Sequence, residues 1–173
     1  AVLPPDTRFV LDTGSFCTIG EHALVSRGPN HVMGSSIARS MGVSLPVGIG
    51  AAMGTPEMPT VVVVGDGGIR MYPESVTVAV RRNLPLIVMI MSDGYYASVR
   101  QAAALKGFTQ KPVLLDRCRW SGVFQAMGCS SERIESQAAL QQALQSWTQM
   151  RSPLVLELLF DPNKYLTMTE GIR

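Results

Sequence analysis

Thr60-Val61-Val62-Val63-Val64-Gly65-Asp66-Gly67-Gly68 decides the fold. Four consecutive valines are apolar on both faces of an extended chain, the pattern of a parallel strand buried between two helix layers. The glycines that follow end the strand in a turn where backbone free of side chains can approach a ligand closely. Similar apolar runs recur at residues 8–11, 86–91 and 154–160. Helical spacing fills the gaps between them: Leu45, Ile49 and Met53 recur at i, i+4 and i+8, and Pro73 opens a segment in which Val76, Ala79 and Val80 share a face. Leu140, Leu144 and Trp147 repeat that spacing after a capping Ser136. The alternation predicts an α/β fold: a three-layer, doubly wound parallel sheet with helices on both faces. No internal repeat or low-complexity tract interrupts it.

Ligands of such sheets bind beyond the carboxyl ends of the strands. Three of those ends read Leu11-Asp12-Thr13-Gly14-Ser15, Val64-Gly65-Asp66-Gly67-Gly68 and Met91-Ser92-Asp93-Gly94-Tyr95. The second is not a dinucleotide fingerprint, because the third glycine of GxGxxG falls on Arg70. Its glycines still suit phosphate oxygens. Asp66 would repel a bare phosphate and therefore reads as a ligand to a hard divalent cation bridging to it. Asp93 follows 27 residues later, about one crossover helix and one strand, which brings both carboxylates to neighbouring strand ends. Singly, each carboxylate also fits a turn that caps backbone N–H groups.

Composition narrows the class. The chain has 173 residues, 46% of them hydrophobic and 16% charged, which fits a single domain over residues 1–173 with a substantial core. The longest apolar run, residues 84–91, is too short for a membrane helix, so no membrane is expected. Fifteen Lys and Arg against 13 Asp and Glu make nucleic acid an unexpected partner. Cys17, Cys118 and Cys129 form no CxxC pair, so neither a disulfide framework nor zinc is indicated and a cytoplasmic setting is expected. The opening Ala1-Val2-Leu3-Pro4-Pro5-Asp6 lacks a Met and a leader pattern, which suggests a piece of a longer chain.

The order and spacing of these motifs resemble the C-terminal, diphosphate-binding domain of thiamine-diphosphate enzymes of the acetolactate synthase, pyruvate decarboxylase and benzoylformate decarboxylase superfamily. That family carries Gly-Asp-Gly and then, one crossover later, Asn. Here Gly65-Asp66-Gly67 is followed by Arg81-Arg82-Asn83-Leu84-Pro85-Leu86 and Ser92-Asp93-Gly94-Tyr95. Upstream, Ser40-Met41-Gly42-Val43-Ser44-Leu45-Pro46-Val47-Gly48-Ile49-Gly50-Ala51 resembles the family's Thr-Met-Gly-Phe-Gly-Leu-Pro-Ala-Ala-Ile-Gly-Ala. The likeness runs from about Phe9 to Asp161.

The resemblance implies thiamine diphosphate and Mg²⁺ as cofactors. Asp66, Asp93 and the Tyr95 carbonyl become the metal ligands, with Asp93 departing from the family's Asn. Gly65, Gly67, Gly68, Gly14 and Ser15 become the diphosphate cradle. Met41 props the bent cofactor, and the Arg39 carbonyl and Met41 N–H hold its aminopyrimidine. The implied activity is decarboxylation or carboligation of a small 2-oxo acid. The family's activating glutamate lies on a pyrimidine-binding domain, so a partner domain or subunit in a homo- or hetero-oligomer is implied too. Two rivals stand beside this: the small subunit of a split sulfopyruvate- or phosphonopyruvate-type decarboxylase, and a degenerate domain kept for oligomerisation or regulation.

Other residues keep two readings. Tyr95 and Tyr96 line a substrate pocket or cover the sheet edge. His22 and His31 are candidates for proton transfer or ordinary surface residues. Arg39, Arg70 and Arg100 can hold a substrate carboxylate or simply sit at helix ends. Cys17 reads as a small apolar filler. No GxSxG elbow points to a serine hydrolase.

Overall fold

The computed structural model describes residues 2–34 and 39–168. Six strands form one sheet: β1 Arg8–Leu11, β2 Val32–Gly34, β3 Thr60–Gly65, β4 Leu86–Ser92, β5 Ser130–Ile134 and β6 Leu154–Leu159. Their order across the sheet is β2-β1-β3-β4-β6-β5, and every pairing is parallel. The four strands expected from the sequence form within a residue of the expected bounds.

The two strands absent from that reading are the sheet's edges. β2 has three residues, and β5 reads Ser-Ser-Glu-Arg-Ile with Glu132 and Arg133 exposed. An edge strand has one neighbour and gains from polar side chains that discourage a second, so it lacks the apolar run that marks a central strand.

Alternation along the central strands splits the core into two layers. Val10, Val62, Val64, Val88 and Ile90 meet α2 (Ser44–Gly54), α4 (Val76–Arg82) and α6 (Trp120–Ala126) on one face. Val61, Ile87, Leu154 and Leu156 meet α7 (Gln137–Met150), which contributes Ala143, Leu144 and Trp147, on the other. Ser136 caps α7 as expected, its hydroxyl accepting the Ala139 N–H at 3.2 Å. Met53 departs from expectation and is 48% exposed. Each step of four residues rotates about 40° around a helix, so by the third position the buried place has passed to Ala52.

The strand order changes direction at β1. From β1 the chain steps outward to β2, then returns to pair β3 on the other side and continues through β4. Loops leaving β1 and β3 therefore part in opposite directions and open a crevice between their carboxyl ends, which is where ligands of open α/β sheets bind.

A candidate cofactor site at the switch point

Short helices start directly from these strand ends: α1 (Ser15–Ala23) after β1, α3 (Asp66–Ile69) after β3, and α5 (Ala97–Leu105) after β4. One cavity lies between them. It brings together Gly14 and Ser15 from the first end, Gly65, Asp66, Gly67 and Gly68 from the second, and Asp93 and Tyr95 from the third. Met41 closes it from the loop before α2, so nine of the ten site residues expected from the sequence line one cavity. Arg39, the tenth, lines an adjoining polar cavity of about 170 Å³ together with Gly14, Ser15 and Gln101.

Asp12 organises the first loop. It is fully buried, its backbone N–H donates to the Val63 carbonyl at 2.9 Å, and its carboxylate accepts the N–H groups of Gly42 at 2.9 and 3.0 Å and Ser44 at 3.3 Å. Burial raises its pKa, and the donated bonds from Gly42 and Ser44 oppose that shift. Gly42 sits at φ +83°, a conformation open to glycine and strained for other residues. Thr13 adds a bond from its hydroxyl to the Ser40 carbonyl at 3.3 Å. Met41 is thus aimed by two residues that the motif reading did not single out.

Asp66 is 4% exposed and accepts three bonds. Oδ2 takes the Gly94 N–H at 2.6 Å, and Oδ1 takes the indole N–H of Trp120 at 2.7 Å and the Ser92 hydroxyl at 3.3 Å. Asp93 is 5% exposed and accepts the Tyr95 N–H at 2.8 Å. Its pKa is pushed up to about 6, chiefly by burial, with the Asp66 charge adding to it. The Tyr165 hydroxyl, on α8 (Lys164–Met168), interacts with the same carboxylate. The turn-capping reading is met, since each carboxylate accepts a backbone N–H, and the two stand buried at neighbouring strand ends. Among the described residues no cluster of three His, Cys, Asp or Glu side chains surrounds a common point.

Two buried carboxylates line one cavity, and the Asp66 charge and the Arg100 charge act on Asp93 in opposite directions, an arrangement that fits a cation. The polar cavity holds a second unfilled demand: Gln101 is 4% exposed and its amide nitrogen has no hydrogen-bond partner. Oxygen donors for a hard cation, a glycine-lined turn and an unpaired amide donor fit a magnesium diphosphate. Free space is short, however. The Phe16 ring lies against Gly14 and Gly65, and the Tyr96 ring against Gly67. They leave about 60 Å³, far below the roughly 300–1,000 Å³ of ligand clefts. Admission of a cofactor requires these rings to turn outward.

The remaining candidates lie elsewhere or are engaged. Arg100 donates to Gln110 at 2.8 Å and Asn163 at 2.9 Å and lies 4.6 Å over the Tyr95 ring. Arg70 donates to the Asp116 carbonyl and lies 5.4 Å from the Trp120 ring centre. His22 is exposed and bonds its own helix at Thr18. His31 lines an apolar cavity at the amino end of the sheet, opposite the site. Cys17 is a buried residue of α1, as a filler would be. Trp120 comes from a sequence region with no motif, and nothing local marks it.

The family profile described as "Thiamine pyrophosphate enzyme, C-terminal TPP binding domain" matches residues 12–158. An alpha-keto-acid decarboxylase of Mycobacterium ulcerans is 29% identical over 161 residues, 89% of this chain and 27% of that protein. The acetolactate synthase of Bacillus subtilis is 28% identical over 84% of this chain and 26% of its own length. The structure of benzoylformate decarboxylase from Polynucleobacter necessarius superimposes with a TM-score of 0.86 at 18% identity, covering 93% of this chain and 31% of that one. The chain thus spans about a quarter of the length of these curated relatives.

Proposed function

The chain belongs to the thiamine pyrophosphate enzymes, as their C-terminal TPP-binding domain, and from that premise we propose that it serves a 2-oxo acid decarboxylase or carboligase as the part that anchors the cofactor. The observation that carries this reading is the buried pair Asp66 and Asp93 beside the glycine turn, two negative charges that a divalent cation would neutralise. Asp66, Asp93 and the Tyr95 carbonyl would hold Mg²⁺. Backbone N–H groups of Gly67, Gly68, Gly14 and Ser15 would hold the diphosphate, with Gly65 giving the metal loop its approach. Met41 and the Arg39 carbonyl would hold the aminopyrimidine. When bound, thiamine diphosphate supplies a nucleophilic carbon that adds to a 2-oxo acid and takes up the electrons released as carbon dioxide leaves.

This chain's residues orient and neutralise rather than transfer protons. His22 and His31 lie outside the cavity, and no other histidine occurs in the sequence. The family resemblance implies an activating glutamate on a partner pyrimidine-binding domain, so that the working unit would be an oligomer or a longer chain. Residues 1–173 act as one domain. Free cysteines at 17, 118 and 129 support a reducing, cytoplasmic setting. The names of the relatives favour a working enzyme over a decayed domain or the small subunit of a split decarboxylase.

Calorimetric titration of thiamine diphosphate with Mg²⁺ tests this. Binding that requires the ion and disappears in Asp66→Ala is expected. Binding indifferent to both Mg²⁺ and Asp66 would overturn the site.

A further inference from the structure

Trp120 begins α6, 54 residues beyond Asp66 in sequence, yet its indole N–H reaches Asp66 Oδ1 at 2.7 Å. Its position is fixed from three sides. The buried Glu157 of β6 accepts the Ser121 N–H at 2.9 Å and so anchors the start of α6, the Arg70 guanidinium lies over the indole ring, and Phe124 stands 6.4 Å away between ring centres.

A carboxylate oxygen offers two lone pairs. Oδ1 of Asp66 gives both away, to Trp120 and Ser92, whereas Oδ2 gives one to Gly94 and keeps one. A cation at this site can therefore bind Asp66 through Oδ2 alone. Mg²⁺ prefers such single-oxygen carboxylates in a compact octahedron, whereas Ca²⁺ readily takes both oxygens of a carboxylate at longer distance. Resting on the metal site proposed above, we infer that Trp120 is a positioning residue that sets ion choice, favouring Mg²⁺ over Ca²⁺ by denying Asp66 two-oxygen coordination.

The test uses the 173-residue chain with millimolar thiamine diphosphate, titrated with MgCl₂ or CaCl₂ by calorimetry. Trp120→Phe keeps a ring against Arg70 and Phe124 and removes only the donor. The Ca²⁺-to-Mg²⁺ affinity ratio is expected to rise about tenfold, within the effect of outer-shell partners on metal sites. Trp147→Phe, which removes the other indole, should leave the ratio unchanged. An unaltered ratio in Trp120→Phe, with both ions still lost in Asp66→Ala, overturns the inference and spares the site. Ion uptake that is absent from the wild type, or unaffected by Asp66→Ala, overturns the site itself.

A second measurement does not depend on the variant folding. In the ¹⁵N-labelled wild type, the Trp120 indole proton is expected to remain protected from solvent exchange when MgCl₂ and thiamine diphosphate are added. Loss of protection on metal binding would mean that Oδ1 is released to the ion and would overturn the inference.

Discussion

The Asp12 carboxylate fills the space that a side chain on Gly68 would need, and the same carboxylate accepts the backbone N–H of Gly42. One buried group therefore joins the loop after β1, the Met41 loop and the glycine turn after β3. Local disorder in any one of them would reach the other two.

Gly68→Ala tests that junction. The added methyl displaces Asp12 and leaves the Gly42 and Ser44 N–H groups short of an acceptor, each costing roughly 1–3 kcal/mol when buried. A loss of about 2–4 kcal/mol in denaturant unfolding is expected, with Asp12→Ala falling in the same range. An unfolding midpoint equal to that of the wild type would mean that the turn relaxes around the methyl group.

Asp93 makes the metal-free chain sensitive to pH. Burial raises its pKa from 3.8 to about 6, so the folded state holds a proton that the unfolded state has released. This contribution to stability is complete below about pH 4 and is lost as pH rises through about 6. Asp93→Asn in the presence of a chelator should therefore match the wild type near pH 4 and exceed it at pH 7 by about 3 kcal/mol. Chemical unfolding at the two pH values reads the difference, and a variant less stable at pH 7 would contradict the burial argument.

Burial also raises the pKa of the Cys17 and Cys129 thiols to about 11, leaving about one part in a thousand as thiolate at pH 8. Cys118 is only half-buried. A chromogenic disulfide reagent is expected to show one fast thiol and two slow ones, with Cys118→Ser removing the fast phase. Three equal rates would show that the core opens readily.

Phe16 presses on Gly14 and Gly65 within the proposed cradle. The cost of turning it outward opposes cofactor entry, so Phe16→Ala should tighten thiamine diphosphate binding severalfold while lowering stability by about 1–2 kcal/mol. Titration beside a melting curve separates the two effects. Weaker binding with an intact Asp66 would assign the ring a supporting role instead.

The central strands, the Ser136 cap and the glycine–aspartate turn were legible because each is a local signal: a run apolar on both faces, a hydroxyl before a helical repeat, and a turn at a strand's end. The edge strands β2 and β5 were not, since an edge lacks that apolar signature. Eight of the ten expected site residues meet in one cavity for the same reason, being turn residues at strand ends, and Met41 joins them from the loop before α2. Asp12 was read as part of a strand end, but its bonds to Gly42 and Ser44 cross a loop whose path the sequence does not specify.

By itself the sequence determined which segments are buried strands, which turns end them, and that two carboxylates one crossover apart share a rim. Tertiary structure alone decided that β1 lies beside β3 with the chain's direction reversing there, that Phe16 and Tyr96 narrow the cleft, and that Trp120 reaches Asp66. The physical reason is range. Periodicity and turn chemistry act over a few residues, whereas these contacts join segments whose approach is set by packing the whole sheet between its two helix layers.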